Sequence, residues 1–365
     1  MRQPILTVTL SDVAKAANVS ITTASRVLTK SSHPINEKTR QRVLKSAAAM
    51  EYKPNWLARG MRTDRTNTIG IIADDLLSPF TPPIIRGIQD YLKTIDYLGL
   101  IINSDWDPKL EREAISTLLS RSVDGMIFVE SGHLSPTDEL ERAGKPYMFV
   151  HRLFGAPIRH SVVPDDYAGS QLAMEHLFSL GHRRIAHISG PSGWHSARRR
   201  VDGYLASLGE HAIEPQPELL LESEWKFEGG AEATQQLLAI NSRPTAIYVA
   251  NDHMAWGAIE AIRSVGLRVP DDMAIVSYDN REFSRVLRPK LTTVSLPAYE
   301  MGKKAAEQLS LKLQGEAIPE DEIKISGTLF VRESCGAHES MRSVEELDLG
   351  TTVRHQLIGM QPAAN

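Results

Sequence analysis

Apolar residues fall into two regimes along the chain. In the first fifty residues they recur at helical spacing: Leu10, Val13, Ala14 and Ala17, then Ala24, Val27 and Leu28, then Val43, Leu44, Ala47 and Met50. Each set forms the inner face of one short helix. Thr9 with Asp12 three residues on makes a capping box, and Ser20 and Asn36 are caps for the second and third helices. Asn18 tolerates the left-handed backbone of a tight turn. Ile21, Thr22, Ser25 and Arg26 are left on the outer face of the second helix. Two short helices joined by such a turn predict a helix-turn-helix, whose second helix enters the DNA major groove with its first residues at the base edges. Helical domains without a nucleic-acid role contain such pairs too.

After Thr66 the pattern changes to continuous apolar runs at 69–73, 97–102, 125–129, 146–150, 184–188, 246–249 and 273–277. Runs of this kind suit parallel strands buried on both faces. Amphipathic stretches at 84–91, 113–119, 168–180, 229–238 and 254–265 separate them. Alternating strand and helix predicts doubly wound α/β sheets. About 270 residues of that pattern suit two lobes.

Composition refines this picture. A length of 365 residues allows two or three domains at ~100–200 residues each. Apolar residues are 42% and charged residues 24%, ordinary values for packed globular domains. No apolar run approaches the ~20 residues that a membrane helix needs, and the N-terminus lacks an apolar export core. The expected location is the cytoplasm, with no membrane partner. The single cysteine, Cys335, excludes an internal disulfide and a cysteine-cluster metal site. Net charge is −4, but residues 1–66 carry 12 basic and 4 acidic residues, net +8, leaving −12 for the rest. A basic head on an acidic body is an electrostatic footprint for nucleic acid, although a solubilising arm has the same charge. Glycine-rich nucleotide loops, the G-x-S-x-G elbow and H-E-x-x-H are absent. No catalytic residue, metal or cofactor is expected.

The run TLSDVAKAANVSITTASRVL, residues 9–28, resembles the N-terminal signature of the LacI family of bacterial regulators, roughly T-hydrophobic-x-D-V-A-x-x-A-G-V-S-x-x-T-V-S-R-V-L. Asn18 replaces the usual Gly and Ala24 the usual Val, and both fit those roles. Residues 52–61, YKPNWLARGM, resemble the family's hinge, Y-x-P-N-x-x-A-R-x-L, with Met61 in place of Leu. The resemblance extends to about Gly336. It implies that Ile21, Thr22 and Arg26 read bases, and that Ser20, Thr23, Ser25, Thr29, His33 and Thr39 contact phosphates. It also places Tyr52, Asn55, Ala58 and Met61 in a hinge helix that binds the minor groove, with Met61 wedged between base pairs. Arg suits guanine O6 and N7, and Ile21 a thymine methyl. A helix of about seven residues does not hold alone in water, so this one is expected to form only when paired with a second copy on DNA.

Ligands of α/β folds bind at the carboxyl ends of strands. Ser78, Phe80, Asp105, His151, Asn251 and Asp279 follow predicted strands, and Arg200 and Trp225 lie beyond others. Aromatic faces with Arg, Asp and Asn suit polyhydroxylated ligands. A lone Trp or Asp after a strand is also a common core or cap residue. The resemblance adds weight at Arg200 in R-x-x-G-Tyr204, Trp225 in E-W-x-x-x-x-G, Asn251 in A-N-D and Asp279 in Y-D-N. His151 stands where the family often has Asp, which points to a different or an acidic ligand. Arg198 and Arg199 are expected to be solvated, and His253 is either a helix cap or a further contact.

The expected organisation is an all-α helix-turn-helix head at 1–52 and a hinge with linker at 53–66. A two-lobed α/β body of parallel sheets, like a periplasmic binding protein, follows at 67–336. Its first lobe takes in about 67–165 and 296–324, its second about 166–295 and 325–336, and a polar tail occupies 337–365. The resemblance implies a homodimeric transcriptional regulator, a repressor of carbohydrate-metabolism genes, that binds a pseudo-palindromic operator under a sugar-type effector. The alternative effector is a purine or another non-sugar metabolite. A solute receptor on the same fold would need an export signal and no basic head. An enzyme built on His151, His195 and Asp279 has no motif tying those residues together.

Overall fold

The computed structural model describes residues 8–28, 33–52, 65–130, 137–151, 160–318 and 321–338. The chain divides into two compact units, 1–67 and 68–365.

In the first unit, α1 (Leu10–Ala16), α2 (Ile21–Leu28) and α3 (Glu37–Ala49) enclose a small core. Val13, Ala14, Ala17, Ala24, Val27, Val43 and Ala47 form it. The Thr9 hydroxyl accepts from the Asp12 amide at 3.3 Å, and the Asp12 carboxylate accepts from the Thr9 amide at 2.9 Å. This reciprocal box satisfies amides that the first turn leaves without helical partners. Asn18 makes the turn with φ of 48°. Ser20 accepts from the Thr23 amide at 3.1 Å and Asn36 from the Lys38 amide at 2.9 Å. One expectation fails: Leu44 is 42% exposed. Val43 and Ala47, four residues apart, carry the inner face of α3, and the next position along is turned away from it.

The second unit holds two six-stranded sheets. In chain order the elements are β1 (Thr68–Ala73), α4 (Thr81–Thr94), β2 (Leu98–Asn103), α5 (Pro108–Ser120), β3 (Gly125–Val129), α6 (Thr137–Arg142), β4 (Tyr147–Val150) and β5 (Ser161–Pro164). There follow α7 (Asp166–Ser179), β6 (Ile185–Ser189), α8 (His195–Glu210), β7 (Leu220–Glu222), α9 (Phe227–Ala239), β8 (Ala246–Val249), α10 (Asp252–Ser264) and β9 (Ala274–Asp279). Last come β10 (Thr292–Ser295), α11 (Ala298–Leu313), β11 (Glu322–Ile325) and β12 (Leu329–Phe330). One sheet has the order β11-β5-β4-β3-β1-β2 and the other β12-β10-β9-β8-β6-β7. Among the described residues the strand pairings are parallel except that of β12 on β10. The chain therefore passes between sheets three times: after β5, after β10 and after β11.

In each lobe a glycine pair brings two helices into close contact. A Cβ on Gly87 would stand 2.0 Å from the Tyr299 carbonyl oxygen, and one on Gly302 would stand 2.0 Å from that of Ile84. These contacts lock α4 against α11. Gly230 and Gly257 do the same for α9 and α10, with 2.0 Å to the Met254 and Phe227 carbonyl oxygens. The apolar runs supply the cores between them, led by Ile69, Ile71, Ile127, Tyr204, Tyr248, Val276 and Tyr278.

Candidate functional site

The strand ends of the two sheets face a common cleft of about 650 Å³. That volume lies in the ordinary range for small-molecule sites. Of the residues expected from sequence, Ser78, Phe80, His151, Arg200, Trp225, Asn251 and Asp279 line it. Asp105 does not. It is exposed, and its carboxylate accepts from the Asn103 amide. Asp105 and Trp106 are both left-handed, with φ of 51° and 59°, and this turn gives the cleft position to Trp106.

On the first lobe the cleft wall is built around Glu130, which follows β3. Its carboxylate accepts from Ser78 Oγ at 3.0 Å and from the Thr81 hydroxyl, and stands 3.3 Å from His151 Nδ1. Burial pushes this carboxyl up, but the bonds and charge from His151, with Thr81 and Ser78, outweigh burial and hold it below the usual carboxylate range. Phe80 meets the His151 ring edge-on at 5.5 Å.

On the second lobe Arg200 is buried, with 3% of its surface exposed. Its Nε donates to Asp166 at 2.8 Å, and Nη1 donates to the Ala250 carbonyl and lies 3.7 Å from Asp279. The guanidinium stacks on Tyr278 at 3.7 Å. Burial opposes its charge, and Asp166 and Asp279 more than restore it. Asn251 caps α10 by accepting from the Met254 amide at 2.7 Å, and its Nδ2 donates to the Trp225 carbonyl at 3.1 Å. It therefore positions Trp225 while lining the cleft. The Trp225 ring packs on Gly190, where a Cβ would come within 2.1 Å. Trp194 meets Trp225 at 5.8 Å and 75°, closing a corner. Behind this wall Asp252 is fully buried and accepts from Thr293 Oγ1 at 2.7 Å, the Arg281 amide at 2.6 Å and the Ser277 hydroxyl. Burial pushes Asp252 up to about 6 and Asp279 up to about 8, with Asp252 adding to the effect on Asp279 against the pull of Arg200.

Left-handed residues cluster here. Glu130, His151 and Asn280 have φ of 59°, 53° and 54°, and Asp279 has 109°. Such conformations cost on the order of 1–3 kcal/mol each and concentrate where a binding site must hold its groups in place.

In the first unit the outward face of α2 presents Ile21, 51% exposed, with exposed Thr22 and Arg26 and half-buried Ser25. No acidic residue occupies its first turn. Ser20 and Thr23 hydroxyls are bonded to each other at 2.8 Å at its start. His33 is exposed and Thr39 half-buried. Tyr52 packs against the core, and burial pushes its hydroxyl up. Thr29, Asn55, Ala58 and Met61 lie outside the described residues. Among those described, no helix is long and apolar enough to cross a membrane, and no cluster of side chains could hold a metal ion.

Sequence reasoning missed Glu130, Asp166, Trp194 and Arg281. Glu130 directly follows an all-buried strand, so the strand-end rule that found His151 was available for it. Asp166 and Trp194 are helix-start residues, and nothing local marks them. Arg198 donates to the Ser192 and Gly193 carbonyls, and Arg199 pairs with Asp202. His253 stacks on Phe283 at 4.9 Å at the cleft edge.

Residues 9–55 match the profile of bacterial regulatory proteins of the lacI family, and residues 174–335 match a periplasmic binding protein-like domain. The HTH-type transcriptional regulator DegA of Bacillus subtilis is 34% identical over 89% of this chain and 97% of its own length. The ribose operon repressor of Haemophilus influenzae is 31% identical over 92% and 99%. Among solved structures, the lac repressor dimer bound to operator and the anti-inducer ONPF superposes with a TM-score of 0.72 at 31% identity, covering 90% of this chain and 98% of the other. The CelR–cellobiose complex superposes at 0.66 with 27% identity, covering 90% and 99%.

Proposed function

The chain belongs to the LacI family of bacterial regulators, and on that premise we propose a cytoplasmic repressor of carbohydrate-metabolism genes controlled by a sugar-type effector in the cleft. It is a DNA-binding transcriptional regulator with a helix-turn-helix head and a two-lobed α/β body. Like the lac repressor, it works as a dimer on operator DNA. The observation that carries the effector reading is the wall formed by Trp225, Trp194, Arg200 and Asp279 at the strand ends. Trp194 stands at 75° to Trp225. One open aromatic face flanked by charged groups suits a sugar ring, whose apolar face stacks while its hydroxyls bond. That relatives include a ribose operon repressor and a cellobiose-bound regulator supports this reading.

Ile21, Thr22 and Arg26 read bases, and Ser20, Thr23, Ser25, Thr29, His33 and Thr39 contact phosphates. Residues 54–61 form the hinge, with Met61 as the wedge, and couple effector state to operator affinity. Coupling of this kind is a shared free energy of about 1–3 kcal/mol, acting equally in both directions. The test is a melting-temperature screen of the full chain against sugars and purines, followed by operator affinity with and without the hit at fixed salt. A sugar that raises the melting temperature and shifts operator affinity supports the reading. A purine hit with no sugar response overturns the sugar assignment. A hit whose binding survives Trp225→Ala places the effector elsewhere.

A further inference from the structure

The cations that line the cleft differ in how their charge is met. Arg200 has Asp166 at 2.8 Å and Asp279 at 3.7 Å. The Glu130 carboxylate of the first lobe is taken up by Ser78, Thr81 and His151. Arg281 also lines the cleft, but among the described residues its guanidinium has no carboxylate within ion-pair distance. Its backbone amide is anchored on Asp252. Its guanidinium is flanked by aromatic rings, with Phe80 of the first lobe at 5.4 Å and Phe283 of the second at 6.0 Å. Such rings steady a cation without neutralising it.

The surroundings reinforce that charge. Asp279 sits two residues back and faces the same cleft, with its carboxylate turned to Arg200 at 3.7 Å. His253, stacked on Phe283, is held toward its neutral form by burial and by Arg281. Lys226 is exposed at the rim beside Trp225, adding a second positive group. A half-buried guanidinium without a counter-ion retains two N–H edges that match a carboxylate or phosphate in bidentate geometry.

We propose that the effector is a sugar ring carrying one anionic group, a carboxylate or a phosphate, and that Arg281 binds that group while Trp225 carries the ring. This rests on the cleft being the effector site, and it narrows the ligand class. Lys226 draws the anion in, and Arg281 selects it over the neutral parent sugar.

The test is calorimetry on the full chain with glucuronate, galacturonate and glucose 6-phosphate, each beside its neutral parent, glucose or galactose. Wild type, Arg281→Gln, Arg281→Lys and Trp225→Ala are compared, with melting temperature as the check on folding. At least one acid is expected to bind about tenfold or more tighter than its parent. Arg281→Gln is expected to abolish that preference, Arg281→Lys to keep part of it, and Trp225→Ala to weaken acid and parent together. Uronates without the phosphate identify a carboxylate, and the reverse identifies a phosphate. No response to any acid, equal binding of acid and parent, or a preference that survives Arg281→Gln overturns the inference. Acid and parent that bind equally, are both lost in Trp225→Ala and are both untouched in Arg281→Gln overturn the charge assignment alone. Binding indifferent to both variants overturns the cleft reading with it.

Discussion

Arg200 donates to the carboxylate of Asp166 at 2.8 Å with both side chains 3% exposed. Asp166 opens α7, where the chain first enters the second lobe, whereas Arg200 comes from α8 and reaches Ala250 and Asp279 as well. One guanidinium thus ties an interlobe crossing to two strand ends. A buried pair of this kind contributes little net stability when intact, yet removal of one member leaves an unpaired buried charge. Asp166→Asn is therefore expected to cost about 3–5 kcal/mol. Arg200→Met combined with Asp166→Asn should cost less than the sum of the single changes. Urea unfolding of the four species measures this, and strict additivity would show that the pair does not act as a unit.

Glu130 and Asp279 face the same cleft but should titrate with opposite effects on stability. Glu130 is held below its usual range, so its stabilisation is present above its unfolded value and is lost as pH falls through the folded one. Asp279 is pushed up to about 8. Its neutral form stabilises fully below about 4, and that contribution is lost as pH rises toward 8. Unfolding free energy from pH 3 to 9 in wild type, Glu130→Gln and Asp279→Asn checks both. Glu130→Gln should flatten the acid limb, and Asp279→Asn should flatten the decline toward alkaline pH.

Arg26 stands exposed on α2, six residues beyond the Ser20 cap. Arg26→Ala is expected to cost about 1–3 kcal/mol on the best operator and to relax preference at one base pair. Selection from random DNA reads this directly, and an unchanged preferred sequence would rule out a base-reading role.

Gly87→Ala would place a methyl 2.0 Å from the Tyr299 carbonyl oxygen, so α4 and α11 must separate. Overpacking of this kind commonly costs about 1–3 kcal/mol. Gly193→Ala, with nothing within 4 Å of its Cβ, is the control. Melting temperatures should fall for the first and barely move for the second.

Element type was legible in most of the strands buried on both faces. The runs at β3 and β8 coincide with the strands observed, because a central parallel strand must be apolar throughout. The edge strands β7 and β11, LLE and EIKI, carry charges and are only partly buried, so no continuous run marks them. The buried strand β5 was missed for its brevity, SVVP leading into acidic residues. Capping was read correctly at Thr9, Ser20 and Asn36 because its bonds are local. The cleft was legible as a set of strand ends, but the place of Arg281 depends on Phe80, about 200 positions earlier in the chain. Long-range neighbours of that sort leave no local trace. Asp105 and Trp106 show the same limit at the scale of one residue, since a left-handed turn decides which of them faces inward.

The left-handed residues Glu130, His151, Asp279 and Asn280 also set the terms on which this protein could be improved. Glycine occupies such conformations without the steric cost, so replacing His151 or Asp279 with it would relieve strain in the fold while deleting the side chains that define the cleft. Selection for heat resistance alone would then erode ligand discrimination at these positions first. A laboratory search for hardier variants should hold these four positions fixed and seek its gains on the outer helices.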